Sequence, residues 1–227
     1  MPYLILIIIL LVVIFLPQYW VRHVLNKYNQ KDEANFTGTG GELARHLLDR
    51  VDLTHVKVEI TELGDHYDPV AQCVRLTRDK HEGKTLTAIT VSAHECGHAF
   101  QHAAKQPLFM LRSQLAGISI WAARIGSFLL FSAPFLALLT RAPSVALLNI
   151  SGAFLIMGFG LVMQLITLPV ELDASFNKAL PILQSGYLKA EQMPAARKIL
   201  KAAAWTYVAA SLAGLLNFWR WLALLKR

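Results

Sequence analysis

Four stretches of this chain are too apolar to be left in water. Residues 2–16, PYLILIIILLVVIFL, contain no charged or amide side chain. Residues 115–139 and 144–168 form two more, parted only by TRAPS, and WTYVAASLAGLLNFWRWLALL (205–225) is the fourth. A backbone inside a bilayer has no water to bond to, so such stretches close their hydrogen bonds internally as helices. About twenty residues suffice to cross. The first run reaches that length with Pro17–Val21. It has no basic n-region and no small-residue cleavage site, so it reads as an uncleaved anchor rather than a signal peptide. Tyr19 and Trp20 follow it as interfacial residues. Pro143 and the short polar gap make 115–168 a helical hairpin. Arg220 and three tryptophans leave 205–225 either spanning or interfacial.

Composition agrees: 55% of residues are hydrophobic and 16% charged, too apolar a balance for an ordinary soluble domain. The net charge of +7 is uneven. From Arg22 to Arg112 there are 12 Lys+Arg and 12 Asp+Glu, while the rest of the chain has 10 Lys+Arg against 3 Asp+Glu. Basic residues beside apolar stretches are topology signals. With no interleaving of aromatic and basic residues, nucleic acid is not an expected partner. Arg22, Lys27 and Lys31 follow the first span, and a basic segment follows the third, so both are expected in the cytoplasm. Cys73 and Cys96 form no CxxC, and no disulfide framework is expected.

The expected organisation is an anchor (1–21), a mixed, charged segment (22–112), a membrane hairpin (113–169), a polar helical segment (170–204) and a C-terminal membrane or interfacial helix (205–227). Thr39 stands three residues before Glu42, the capping-box spacing, ahead of Leu43, Leu47 and Leu48 on one helix face. VKVEIT (56–61) and QCVRLT (72–77) alternate like strands. The second could be an edge that pairs with an extended substrate. TLTAITVSAHECGHAFQHAAK (85–105) has a long helical pattern.

That helix carries His94-Glu95-Cys96-Gly97-His98. Residues i and i+4 share a helix face, which suits two imidazoles gripping one zinc. Glu95 is then placed as a general base for a zinc-bound water. A chance HExxH in a chain of this composition has a probability of about 1%. His102 lies about 12 Å along the helix from His94 at 1.5 Å per residue. With no breaker between, it is expected to support the site, face substrate or lie on the surface. A third ligand is expected from LPVELDASFNKAL (168–180), where Glu171 or Asp173 offers a carboxylate. Two crossings separate it from His98, which leaves both on one side. Gly97 is expected to permit close approach of another backbone or of substrate, and Cys96 to pack inside. In GDHYDP (64–69), Asp65 and Asp68 suit Asx turns, and His66 and Tyr67 could donate to an oxyanion.

GDHYDP, AHECGHAFQHA, LPVELDAS and KAAAWTYVAA, in that order among four apolar segments, resemble the YugP-like neutral zinc metallopeptidases of bacteria. The likeness covers nearly the whole chain. More distantly, the chain is similar to gluzincins of the HtpX and CAAX-prenyl protease type. The resemblance implies zinc ligands His94, His98 and Glu171, with Glu95 as base. In the distant relatives an aspartate follows the ligand glutamate by four residues. Here Ser175 holds that place, and Asp173 lies two after Glu171. A site-2 type intramembrane protease would have an apolar HExxH helix and an LDG partner motif. Lys84 and Lys105 flank this one, and LDG is absent.

The expected fold is a mainly α membrane protein with a small α+β zincin-like catalytic domain and about four transmembrane or membrane-associated helices. The expected function is a zinc metalloendopeptidase with one Zn2+ per chain. It would be multi-pass in the bacterial plasma membrane, with its catalytic domain facing the cytoplasm. Its partners would be peptide or membrane-protein substrates and the bilayer. The alternative is a non-enzymatic membrane scaffold or chaperone-like subunit with a vestigial zinc site.

Overall fold

The computed structural model of the protein describes residues 2–30 and 36–205. It is mostly helical, with one small sheet. The first apolar run lies in α1 (Pro2–Lys27), which continues past Val21 into the polar region. Its end is tied down: Thr87 donates its hydroxyl to Leu25 O at 2.9 Å and its N–H to Tyr28 O at 3.2 Å. Val21 and Val24 are buried in the same core as the rest of the polar half.

α2 (Gly40–Asp49) starts at the expected capping box. The Glu42 N–H donates to Thr39 Oγ1 at 3.2 Å, and Glu42 Oε2 accepts from the Thr39 N–H at 2.8 Å. Leu43, Leu47 and Leu48 are buried, each worth about 1.5–3 kcal/mol relative to exposure. Gly40 sets how closely α2 approaches its neighbour, because a Cβ there would stand 2.6 Å from Ser92 Oγ and 2.9 Å from Ala88 O.

The strands are β1 (Lys57–Ile60), β2 (His66–Asp68) and β3 (Cys73–Leu76), in the order β1-β3-β2. β1 runs parallel to β3, with Val58 opposite Val74; β2 runs antiparallel, with Tyr67 opposite Val74. Two of these strands match the alternating stretches. β2 lies within the stretch of turn formers, where a three-residue strand leaves no periodicity to read. It also overturns the expectation that QCVRLT is an edge: β3 is the central strand, paired on both sides. Asp68 makes the expected Asx turn, whereas Asp65 bonds across the sheet instead. Asp68 Oδ1 accepts from the N–H groups of Val70 and Ala71, and Asp65 Oδ1 accepts from the Thr77 N–H and hydroxyl.

After the short α3 (Arg78–His81) comes α4 (Leu86–Ala103), capped by Thr85, whose hydroxyl accepts from the Ala88 N–H at 3.0 Å. α4 is enclosed on nearly every side, by α2, by β2 and β3, and by the segment that follows α6. Cys73 and Cys96 are buried free thiols. Lys105 takes a left-handed turn (φ 49) and Pro107 opens α5 (Pro107–Thr140).

α5 and α6 (Pro143–Leu172) form the expected hairpin, turning at Arg141 in the left-handed region. The Asn149 amide donates to Leu129 O and Ser132 Oγ, fastening α6 to α5. Among the described residues one helix, α5, is long and apolar enough to cross a membrane. Phe128, Phe131, Leu138 and Leu139 stand exposed on it, as water would disfavour and lipid would not. The fourth apolar segment, 205–225, lies outside the described residues from 206 onward. The expected border between hairpin and polar segment falls inside α6, which passes residue 169 unbroken. It then widens into a π-helical stretch, Asp173–Ala179, in which the Leu180 N–H bonds Ser175 O. A helical run over 193–205 completes the core.

Candidate metal centre

Four-residue spacing on α4 stacks His94 and His98, with ring centroids 4.8 Å apart. Both face Glu171, at the C-terminal end of α6. His94 Nε2 and His98 Nε2 each lie 3.2 Å from the same oxygen, Glu171 Oε2. One ligand atom from each residue fits within 4.8 Å of the others, and all three residues are buried. The two helices come this close because Gly97, between the histidines, has no side chain. A Cβ there would stand 2.9 Å from Ala174 O and 3.3 Å from Lys178 Cβ.

The outward nitrogens are also engaged. His98 Nδ1 meets Gln101 Oε1 at 2.9 Å, and His94 Nδ1 meets Ser175 Oγ at 3.1 Å. Partners at Nδ1 orient each ring and leave Nε2 for a metal. Glu171 is 1% exposed. Its Oε1 lies 3.0 Å from Arg112 Nη1, an ion pair without hydrogen-bond alignment, so this buried oxygen lacks an aligned donor. Two imidazole nitrogens and one carboxylate with lone pairs to spare fit a zinc ion that keeps a position open for water.

Glu95 belongs to the same place. A cavity of about 200 Å³ is lined on its polar side by Asp65, His66, Tyr67, His94, Glu95, His98, Arg112 and Glu171. Burial pushes the Glu95 carboxyl up to about 7, and the negative charges of Glu171 and Asp65 push the same way against His94 and Arg112. Burial also opposes the charge on Glu171. The facing His98 and His94 outweigh it and hold that carboxyl well below the usual range. Two neighbouring carboxyls with opposite shifts are suited to different tasks, one to accept a proton and one to stay charged.

A family model described as "Putative neutral zinc metallopeptidase" matches residues 3–226. The chain belongs to this family. It is also 35% identical over 208 residues to the "Putative membrane protease YugP" of Bacillus subtilis (strain 168), covering 91% of this chain and 88% of that one. No solved structure matches.

Within this zinc metallopeptidase family member, the other expected residues fall as follows. His66 and Tyr67 line the cavity, but the His66 Nδ1 bonds Gly64 O at 2.7 Å and the Tyr67 hydroxyl bonds His102 Nδ1 at 2.9 Å. Burial raises the Tyr67 hydroxyl to about 12, with the charge of Asp68 adding to the shift. His102 lies outside the His94–His98–Glu171 group; besides Tyr67 it meets the Phe109 ring, which also packs on His98. Asp173 does not touch a histidine of the group. Its Oδ2 accepts from Gln101 Nε2 at 2.9 Å, one residue removed from His98. Three residues at the centre were not singled out in the sequence for it: Gln101, Arg112 and Ser175 in its bonded role. Only Ser175 left a trace there, as the residue in the place of the relatives' aspartate.

Proposed function

We propose that this chain is a membrane-anchored zinc metalloendopeptidase, with His94, His98 and Glu171 holding one zinc ion and Glu95 as general base. The observation that carries this reading is the approach of two Nε2 atoms to one Glu171 oxygen in a cavity that Glu95 also lines. When bound there, zinc would supply Lewis acidity, polarising the scissile carbonyl and acidifying a water. The chain's own residues do the rest. Glu95 accepts the water proton and passes it to the leaving nitrogen, a task that suits a carboxyl raised toward neutrality. Arg112 brings a guanidinium to the cavity wall, where it can face the oxygen on which negative charge develops. Tyr67 can do so with its bond to His102 intact when the His102 Nδ1–H donates to the phenol oxygen. In its neutral form His66, with Nδ1–H on Gly64 O, has an Nε2 that accepts rather than donates.

The same reading takes the region around α4 as a zincin-like catalytic unit. It takes the four apolar stretches as spanning or membrane-associated helices and puts the centre at the cytoplasmic face. Support comes from the basic residues after the first and third stretches. An even number of crossings between His98 and Glu171 also agrees with their meeting in one place. Substrates would be membrane proteins or peptides near the bilayer, since α1 and α6 both run from apolar stretches into the cavity wall. β2 is the strand beside the cavity whose outer edge carries no strand among the described residues, so it replaces β3 as the place for an extended substrate.

Glu95→Gln tests the mechanism. It should keep zinc and lower peptide hydrolysis by about 10²–10⁴-fold. Full activity in that variant would refute Glu95 as the base. Normal cellular function with cleavage lost would favour the scaffold instead.

A further inference from the structure

Gln101 is fully buried, and its amide uses every hydrogen-bonding group it has. Nε2 donates to Val170 O at 2.8 Å and to Asp173 Oδ2 at 2.9 Å, while Oε1 faces His98 Nδ1 at 2.9 Å. The two ends of an amide are told apart by their partners. Here the nitrogen end is fixed, because a backbone carbonyl and a carboxylate can only accept. The other end is therefore oxygen, which can only accept in turn. His98 Nδ1 must then carry the hydrogen, which leaves His98 Nε2, 3.2 Å from Glu171 Oε2, as the ring nitrogen that a metal would take. At His94 the partner is a hydroxyl, which can donate or accept and so fixes nothing.

The same amide spans the two arms of the centre. Val170 and Asp173 lie one residue before and two residues after Glu171, and His98 is on α4. We infer that Gln101 is a positioning residue that keeps a hydrogen on His98 Nδ1 and clamps the Glu171 segment against α4, so that metal affinity depends on it. The inference rests on the zinc reading above. Gln101 touches no reacting atom; it acts through His98 and Glu171.

The test uses full-length protein in detergent. Gln101→Met keeps the length and removes all three bonds. Gln101→Glu keeps an acceptor for His98 but turns an oxygen toward Val170 O and Asp173, so it loses the clamp alone. Zinc affinity, measured by competition with a chelating dye, should fall about 10–100-fold in Gln101→Met and also fall in Gln101→Glu. Histidine side-chain 15N spectra of metal-free protein should show a hydrogen on His98 Nδ1 in wild type and in Gln101→Glu, and a lower Nδ1–H population in Gln101→Met. Folded Gln101→Met binding zinc within twofold of wild type would overturn the inference. So would a wild-type His98 with no hydrogen on Nδ1, a measurement that needs no variant to fold. Glu171→Ala run alongside separates the two readings. Unchanged zinc affinity there defeats the metal centre itself, whereas loss there with retention in Gln101→Met defeats only the role of Gln101.

Discussion

Gly97 lies against Ala174 with no room for a side chain between them: a Cβ on Gly97 would stand 2.9 Å from the Ala174 carbonyl oxygen. This contact sets the distance between the helix bearing the two histidines and the segment that follows Glu171. Gly97→Ala gains about 1 kcal/mol of helix propensity, but overpacking a tight contact costs about 1–3 kcal/mol. The variant is expected to be no more stable than wild type and to bind zinc more weakly, since α4 must move away from Glu171. Thermal unfolding and zinc titration check this. A gain in stability with unchanged affinity would show that the contact does not set the site.

Ser175 is the partner of His94. Removing its hydroxyl leaves the buried Nδ1 without a bond. Ser175→Ala should weaken zinc binding about 10-fold, at the lower end of the range for outer partners of metal-bound histidines. Unchanged affinity in a folded variant would mean that packing alone orients His94.

The histidine pair, its helix and the glutamate beside it were legible in the sequence because HExxH is a local pattern: spacing along α4 decides which groups share a face. The capping box at Thr39 and Glu42 was legible for the same reason. What was not legible is long-range. Gln101 has to meet residues about 70 positions away, and nothing in AFQHA distinguishes it from a surface glutamine. Arg112 reads as a flank of an apolar stretch until α6 returns Glu171 beside it. Strand order is equally non-local. QCVRLT alternates the same way at an edge or in the centre, and only the three-residue β2 decides. Glu171 and Asp173 were equal candidates by chemistry. The structure separates them, directing Glu171 at the imidazoles and Asp173 at Gln101.

Asp68 gives the hairpin beside the cavity a definite response to acid. The Ala71 N–H does most to hold its carboxyl below the ordinary 3.8; burial opposes it, and the Val70 N–H and Arg75 tip the balance downward. A carboxyl depressed in the folded state contributes stability that is complete above its ordinary value and is lost as pH falls through the folded value. Stability should therefore decline below about pH 4. Asp68→Asn, which keeps the shape without the charge, should be about 1 kcal/mol less stable at pH 7 and show a flatter decline in acid. Thermal unfolding at pH 7 and pH 3.5 measures both. Parallel pH curves for the two proteins would remove Asp68 from this role.

The central claim is that His94, His98 and Glu171 hold one zinc. It is tested most directly by metal content per chain in detergent-purified protein, wild type beside Glu171→Ala, after equal exposure to zinc and removal of the excess. The account predicts about one zinc in wild type and its loss or marked weakening in the variant. Wild-type protein that takes up no zinc, or a Glu171→Ala variant that holds it as tightly, would contradict the three-residue centre.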